Sequence, residues 1–257
     1  MDYLQLESTD GVAVITIQSP PANALASYIL KDLASAFDEI EADPSLKAVV
    51  IKGEGKFFSA GADIKEFTSF QSQEDLSNLG REGQLLFQRI EHFRAPVIAA
   101  IHGAALGGGL ELAMSCHMRI VTEDAKLGLP ELSLGIIPGF AGTQRLPRYV
   151  GSAKAYEMIL TGEPITGKEA YSIGLANKAV TFDALEEESM KLAKKMAAKS
   201  GPSIEAVMRL IPHTFTSTYE QGQQEEAKEF GKVFGNEDAK EGVKAFIEKR
   251  QPNFKDQ

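Results

Sequence analysis

Four short runs of branched apolar residues, at 12–17, 48–52, 97–101 and 118–122, constrain this chain more than any other feature. Nearly all have a glycine or proline close by, and they read as strands. Between the first two, Leu30, Leu33, Phe37 and Ile40 recur at steps of three and four within residues 27–43, which places one apolar stripe along a helix. A strand, a helix and a second strand in that order favour a mainly parallel sheet, so the fold class is α/β. At 257 residues the chain is long enough for one sizeable core and too short for three ordinary domains.

From Ser152 onward no run reads as a convincing strand. The helical patterns there break near Gly162, Gly174, Gly201-Pro202 and Gly235, and Pro252 ends the last of them, so a helical C-terminal region is expected. Hydrophobic residues at 43% and charged residues at 25% match ordinary folded domains and argue against disorder. Acidic side chains, 36 against 27 basic ones, leave a net charge of −9 that opposes non-specific attraction to nucleic acid or anionic membranes. Neither kind of partner is expected. The most apolar stretch, residues 95–110, is interrupted by His102 and several glycines and stops at Glu111, and the first residues carry no basic segment, so neither a membrane span nor a signal peptide is expected. A single cysteine, Cys116, excludes an intrachain disulfide and fits a reducing cytoplasm.

Several familiar chemistries fail on their residues. Gly53-Glu54-Gly55 lacks the third glycine of a dinucleotide loop, and no glycine run is followed by the Lys-Ser/Thr of a phosphate loop. Ser59, in Phe57-Phe58-Ser59-Ala60-Gly61, is one glycine short of a nucleophile elbow. Cys116 and His117 are sequence neighbours, and neighbours on a helix point in different directions. The four histidines form no His-x-x-x-His pair, so no metal is expected. Lys52, Lys56 and Lys65 flank the Gly61 segment and read as an ordinary solvated loop.

Two segments carry more specific chemistry. Gly61-Ala62-Asp63 follows a strand and a Gly-Glu-Gly turn, and Gly107-Gly108-Gly109 stands directly before a helix start at Leu110. Small residues let a ligand atom approach the main chain, so two backbone N–H groups can converge on one developing oxyanion. Either segment alone is also explained by tight turns and close helix packing. Glu111, one turn into that helix, lies near the same place; its plainer role is a favourable interaction with the helix N-terminus. Glu131 is isolated in an almost uncharged stretch, residues 127–139, and reads equally as a solvated loop acid.

At these residues the chain resembles the crotonase superfamily and, within it, the enoyl-CoA hydratases. The resemblance rests on Pro21-Ala22-Asn23-Ala24-Leu25, Ser59-Ala60-Gly61-Ala62-Asp63-Ile64-Lys65, His102-Gly103-Ala104-Ala105-Leu106-Gly107-Gly108-Gly109-Leu110-Glu111, Pro130-Glu131, Ile137-Pro138-Gly139 and Gly142-Thr143-Gln144-Arg145-Leu146. It covers nearly the whole chain. The resemblance implies a ClpP-like spiral of ββα turns over residues 1–195 and a helical trimerisation region at 196–257, assembling as a homotrimer or a dimer of trimers. It implies an acyl-CoA thioester substrate, with no cofactor beyond the CoA of the substrate and no metal. By position, the N–H groups of Ala62 and Gly108 would hold the thioester oxygen, and Ala60, Ala62, Asp63, Ile64 and Lys65 would line the CoA segment. Gly139 would lie beside the reacting water, and Phe254 and Lys255 would add CoA contacts from the C-terminal region. Glu111 and Glu131 would serve as base and acid in the hydration step of fatty-acid β-oxidation. His117 stands where many relatives have Asp and His102 where many have Asn, which leaves the local hydrogen bonding there open. The rival readings are a Δ3-Δ2-enoyl-CoA isomerase, which needs one acid and no attacking water, an RNA-binding member of the superfamily and a non-catalytic acyl-CoA carrier. The acyl-pocket wall is expected around residues 67–86.

Overall fold

The computed structural model describes residues 1–67 and 73–256, without the side chains of Lys65, Phe67 and residues 73–77. The chain begins with strands β1 (Leu4–Thr9) and β2 (Val12–Ile17), then helix α1 (Ser27–Ala42), β3 (Ala48–Gly53), the short helix α2 (Ile64–Phe67) and the long helix α3 (Gln73–Glu91). Next come β4 (Val97–Ile101), β5 (Ala104–Leu106), α4 (Gly108–Ser115), β6 (Met118–Thr122) and β7 (Lys126–Gly128). A 3-10 turn at Glu131–Leu134 leads to α5 (Gly142–Thr161), β8 (Ile165–Thr166), α6 (Gly167–Ser172), β9 (Lys178–Val180) and α7 (Leu185–Ala197). Four more helices follow: α8 (Gly201–Leu210), α9 (His213–Thr216), α10 (Tyr219–Phe234) and α11 (Glu237–Ile247).

The large sheet runs in the order β1-β2-β3-β4-β6-β9, parallel throughout except for β1, and a small sheet joins β5, β7 and β8. All four runs expected as strands belong to the large sheet. Its alternate residues face two cores. Ile15, Val49, Ile51, Ala99 and Ile101 pack with α1, α3 and α4, whereas Val12, Ala48, Val50, Ile98, Ala100 and Ile120 pack with Leu185, Ala193 and Ala197 of α7. A sheet covered on both faces needs apolar residues at every position, which is why these runs do not alternate with polar residues. The expected face of α1, Leu30, Leu33, Phe37 and Ile40, is buried against the first core.

The spiral shows most fully where the chain passes from the large sheet to the small sheet and then into a helix: β4-β5-α4 is one such turn, β6-β7 opens the next, and after β2 and β3 only the isolated bridges Leu25–Ala62 and Ser59–Ala105 stand in the place of a strand. This is the expected ββα spiral. Strands also form outside the four expected runs, and the expectation of none beyond residue 152 is corrected. Residues 4–9 pair with β2 as an edge strand. Beyond residue 152 the short strands β8 and β9 extend both sheets, and they carry too few residues to show a period of two. The last strand of the large sheet is β9, and α7 packs against that sheet before the chain continues into the remaining helices.

Every residue of α4 is buried, Glu111 included. Its C-terminal carbonyls would be orphaned in an apolar interior, and Arg119 prevents this. The Arg119 guanidinium, 2% exposed, donates to the carbonyls of Ala113 (3.1 Å), Cys116 (2.7 Å) and Leu175 (2.6 Å), with its face 4.2 Å from the Tyr149 ring. The Tyr149 hydroxyl in turn donates to Met114 O at 2.9 Å. A buried cation at a helix C-terminus also complements the negative end of the helix dipole. Replacing Arg119 with Met keeps the stem and strands three buried carbonyls, each worth about 1–3 kcal/mol. Chemical denaturation at fixed protein concentration should show Arg119→Met less stable by at least about 3 kcal/mol; a loss below about 1 kcal/mol would mean that other donors cap α4.

Candidate active site

Two stretches of backbone meet at the N-terminus of α4. On one side, β3 leads through residues 54–58 into residues 59–62, and this loop is held in place by Asn23 and Ser59. The Asn23 side chain accepts from Ser19 N (2.9 Å) and donates to the carbonyls of Glu54 (2.9 Å) and Phe57 (2.8 Å). The Ser59 hydroxyl donates to Asn23 O (2.8 Å) and accepts from Gly61 N (3.2 Å). Ser59 is therefore a buried clamp for the loop, as its failure to fit a nucleophile elbow suggests. Leu25 N donates to Gly61 O and Ala60 N to Ala22 O, which fixes the direction of the next N–H, that of Ala62.

On the other side, α4 starts at Gly108, two residues earlier than expected, so Gly108 and Gly109 lie inside the helix. A methyl group on Gly109 would run into the Ser59 carbonyl, and one on Gly108 would lie 3.3 Å from Ala62 N. Gly61 adopts φ +102, a conformation that glycine takes without strain. The glycines thus permit the backbone approach that brings the Ala62 and Gly108 N–H groups together. Neither group has a hydrogen-bond acceptor among the described residues.

Glu111 stands one helical turn further along and is 1% exposed. Its Oε1 accepts from Phe140 N (2.9 Å) and Gly142 N (2.7 Å). Burial raises its pKa from 4.5 to about 7; the Gly142 and Phe140 N–H bonds and the Arg145 charge oppose the rise, and the Glu131 charge adds to it. Glu131, at the start of the 3-10 turn, is half-buried, and burial raises its pKa as well. A Cβ on Gly107 would lie 3.1 Å from Glu131 Oε1, so this carboxylate reaches the same helix N-terminus, and its Oε2 is buried without a partner among the described residues. Two carboxyl groups, each favouring its protonated form more than usual, face a pair of unengaged N–H donors. This arrangement can stabilise an oxyanion and move protons beside it.

Ala60, Ala62 and Asp63 run along the same loop into α2, where Ile64 is exposed; the Lys65 side chain and residues 68–72 of the expected acyl wall lie outside the described residues. Lys52 pairs with Glu186 on the surface at 2.9 Å. Gly139 has open space where a side chain would project, and its carbonyl accepts from the Gln84 amide at 3.0 Å. Phe254 and Lys255 are not brought to this site within one chain. Phe254 instead lines a cavity of about 1130 Å³ between the core and the C-terminal helices, whose wall also includes Ser115 and Cys116 at the far end of α4. With eight residues, α4 separates that end from Gly108 by about 12 Å.

The histidine departures are accommodated by other hydrogen bonds. His117 Nδ1 accepts from Val97 N (2.9 Å), so its Nε2 carries the proton and donates to Glu91 O (3.2 Å), and burial lowers its pKa to about 4. The Cys116 thiol donates to Leu112 O and is pushed up to about 12 by burial, so the two side chains form no dyad. His102 Nε2 donates to Gly55 O at 2.9 Å. Sequence reasoning missed Phe140, whose N–H holds Glu111, and the part-buried pair Arg145–Glu91 behind it. Arg145 was within a family motif, but nothing in the spacing said where its charge would point.

The similarity to known proteins extends over the same residues. The family model described as enoyl-CoA hydratase/isomerase matches residues 7–257. A probable enoyl-CoA hydratase of Bacillus subtilis (strain 168) is 57% identical over 256 residues, covering 99% of both chains. A crotonyl-CoA hydratase of Syntrophomonas wolfei is 40% identical over 251 residues, 97% of this chain and 96% of that one. The crystal structure of an enoyl-CoA hydratase from Bacillus anthracis superposes with a TM-score of 0.94 at 34% identity, over 99% of this chain and 100% of that chain. A spiral of ββα turns, a converging pair of backbone donors and two carboxyl groups at one helix end are thus found in a chain that belongs to the enoyl-CoA hydratase/isomerase family, with the crotonase fold.

Proposed function

We propose that this chain is an enoyl-CoA hydratase: it adds water reversibly, in the syn sense, to a trans-2-enoyl-CoA and yields a 3-hydroxyacyl-CoA, the hydration step of fatty-acid β-oxidation. The observation that carries this reading is the pair of carboxyl groups with raised proton affinity, Glu111 and Glu131, beside the Ala62 and Gly108 N–H groups. Attack of water at Cβ drives the π electrons onto the thioester oxygen, where the two N–H donors bind the enolate-like state more strongly than the substrate. A single such donor is worth about 2.7–4 kcal/mol in other enzymes. Ionised Glu111 takes a proton from the attacking water and protonated Glu131 delivers one to Cα, so the C–O and C–H bonds form as the double bond is lost. The two acids exchange one proton and act as a dyad. The open side of Gly139 leaves room for the water.

In this reading the 60–65 segment lies along CoA, with Ile64 near the adenine through its main chain, and CoA is part of the substrate rather than a cofactor. Phe254 lines the cavity reached by the opposite end of α4 from the donors, and Lys255 N is held by Asp238, so in this reading the two residues reach CoA bound to another chain. The assembly is a trimer or a dimer of trimers built by the C-terminal helices, and the enzyme works in the cytoplasm. No helix among the described residues is long and apolar enough to cross a membrane.

Purified protein added to crotonyl-CoA should lower the ultraviolet absorbance of the conjugated thioester to its equilibrium value; an unchanged spectrum across several enoyl chain lengths would overturn the reading. Glu111→Gln and Glu131→Gln should each lower kcat by at least about 10²-fold with little change in CoA-ester affinity, and the double variant should lose far less than the product. If one variant keeps full hydration, the single-acid isomerase gains the argument.

The pH dependence has two parts. Because the base must be ionised, kcat/KM should fall about tenfold per pH unit below about 7. The folded-state pKa of Glu111 lies above its unfolded value, so the stability that protonated Glu111 allows is present below about pH 4.5 and is lost as pH rises to about 7. Glu111→Gln should therefore melt higher than the wild type at pH 8, and an equal or lower melting temperature would show that Glu111 is well solvated. Deleting residues from Gly242 onward should lower the mass in solution and weaken CoA binding, and unchanged values would remove the C-terminal region from both roles.

A further inference from the structure

The turn that holds Glu111 is unusual in its backbone. Phe140 N–H and Gly142 N–H both point at one oxygen of Glu111, and the residue between them, Ala141, takes φ +72 and ψ +26, in the left-handed region. A non-glycine residue there costs about 1–2 kcal/mol, and such strain persists only where neighbours enforce it. The Ala141 carbonyl accepts from Gln144 N and Arg145 N, both at 3.0 Å, and the Phe140 carbonyl is held by the side chain of Arg145, in the first turn of α5. Its Nη1 donates to Phe140 O at 2.7 Å, while Nε and Nη2 donate to Glu91 Oε2 at 3.2 and 3.1 Å. Glu91, at the end of α3, is itself fixed: its other oxygen meets Arg148 at 3.4 Å and its carbonyl accepts from His117.

We propose that Arg145 is a positioning residue for Glu111: by gripping the Phe140 carbonyl it holds the turn that aims two N–H groups at one Glu111 oxygen, and Glu91 sets how much of the guanidinium charge reaches the site. This inference rests on the hydratase reading with Glu111 as base. The charged groups acting on Glu111 are few. The 3-10 turn contributes Glu131, α5 contributes Arg145, and the face of α3 against the turn presents Gly80, Gly83, Gln84 and Phe87, which do not titrate. Glu91 acts on Glu111 only through Arg145, whose charge it screens, and so with the opposite sign. Removing the guanidinium raises the proton affinity of Glu111. Neutralising Glu91 leaves the grip on Phe140 in place, frees the positive charge and lowers that affinity.

The test compares Arg145→Gln and Glu91→Gln with the wild type in pH profiles of crotonyl-CoA hydration. Arg145→Gln should lower kcat about tenfold to a hundredfold, the worth of one hydrogen bond to a charged group, with KM changed less than about threefold. Its acid limb should move up by about one pH unit, and that of Glu91→Gln should move down. Shifts in the same direction, or none, would mean that the pair only stabilises the fold and would overturn the proposal. Should Arg145→Gln fail to fold, Glu91→Gln decides alone: a downward shift supports the proposal and an unmoved limb refutes it. A wild-type protein that hydrates no enoyl-CoA would instead refute the hydratase reading, so the two failures are distinguishable.

Discussion

The structure depends on one close approach of backbone to backbone. Residues 59–62 and 107–109 lie against each other with no room for a side chain between them, and a methyl group at Gly109 would occupy the space of the Ser59 carbonyl. From that contact follow the pairing of the Ala62 and Gly108 N–H groups, the burial of α4 and the burial of Glu111 within it. The rest of the spiral serves to hold the two stretches in register. β3 delivers the first and β4-β5 the second, Asn23 and Ser59 pin the loop, and Arg119 closes the far end of α4. Because the donors belong to the main chain, a side-chain substitution removes them only by breaking the contact itself.

The carboxyl groups obey a different logic. An acid buried as deeply as Glu111 resists ionisation, and the protein offsets part of that resistance with two N–H groups and one nearby guanidinium. The balance leaves its pKa at about 7, where the group exchanges protons near neutral pH. A fully solvated glutamate would be ionised throughout and a fully apolar site would leave it protonated, and neither serves as a proton-transfer group at neutral pH. This tuning opposes stability, since an ionised Glu111 is disfavoured in the fold and ordinary in the unfolded chain.

Much of this was legible in the sequence, for identifiable reasons. The strands of the large sheet stood out because a sheet buried on both faces writes continuous apolar runs, and α1 because its buried face repeats every three or four residues. Strands as short as β8 and β9 have no period to read, and the start of α4 was misplaced because Gly108 and Gly109 are poor helix formers held helical by tertiary packing. At the site, the glycines and the two glutamates were visible as residue types. The network behind them was not. Arg145 reaches Glu91 across 54 positions of sequence and Phe140 carries its role in a backbone N–H, which any residue but proline supplies. His117 similarly gave no sign of bridging Val97 and Glu91.

The central claim is that this fold keeps a buried carboxyl group exchanging its proton near neutral pH beside two backbone donors. Infrared difference spectroscopy of the protein titrated through that range, with Glu111→Gln as the reference that lacks the signal, measures this directly. The account predicts a protonated carboxyl band assigned to Glu111 that disappears with a midpoint of about pH 7. A midpoint near 4.5, the value of an ordinary glutamate, would contradict it.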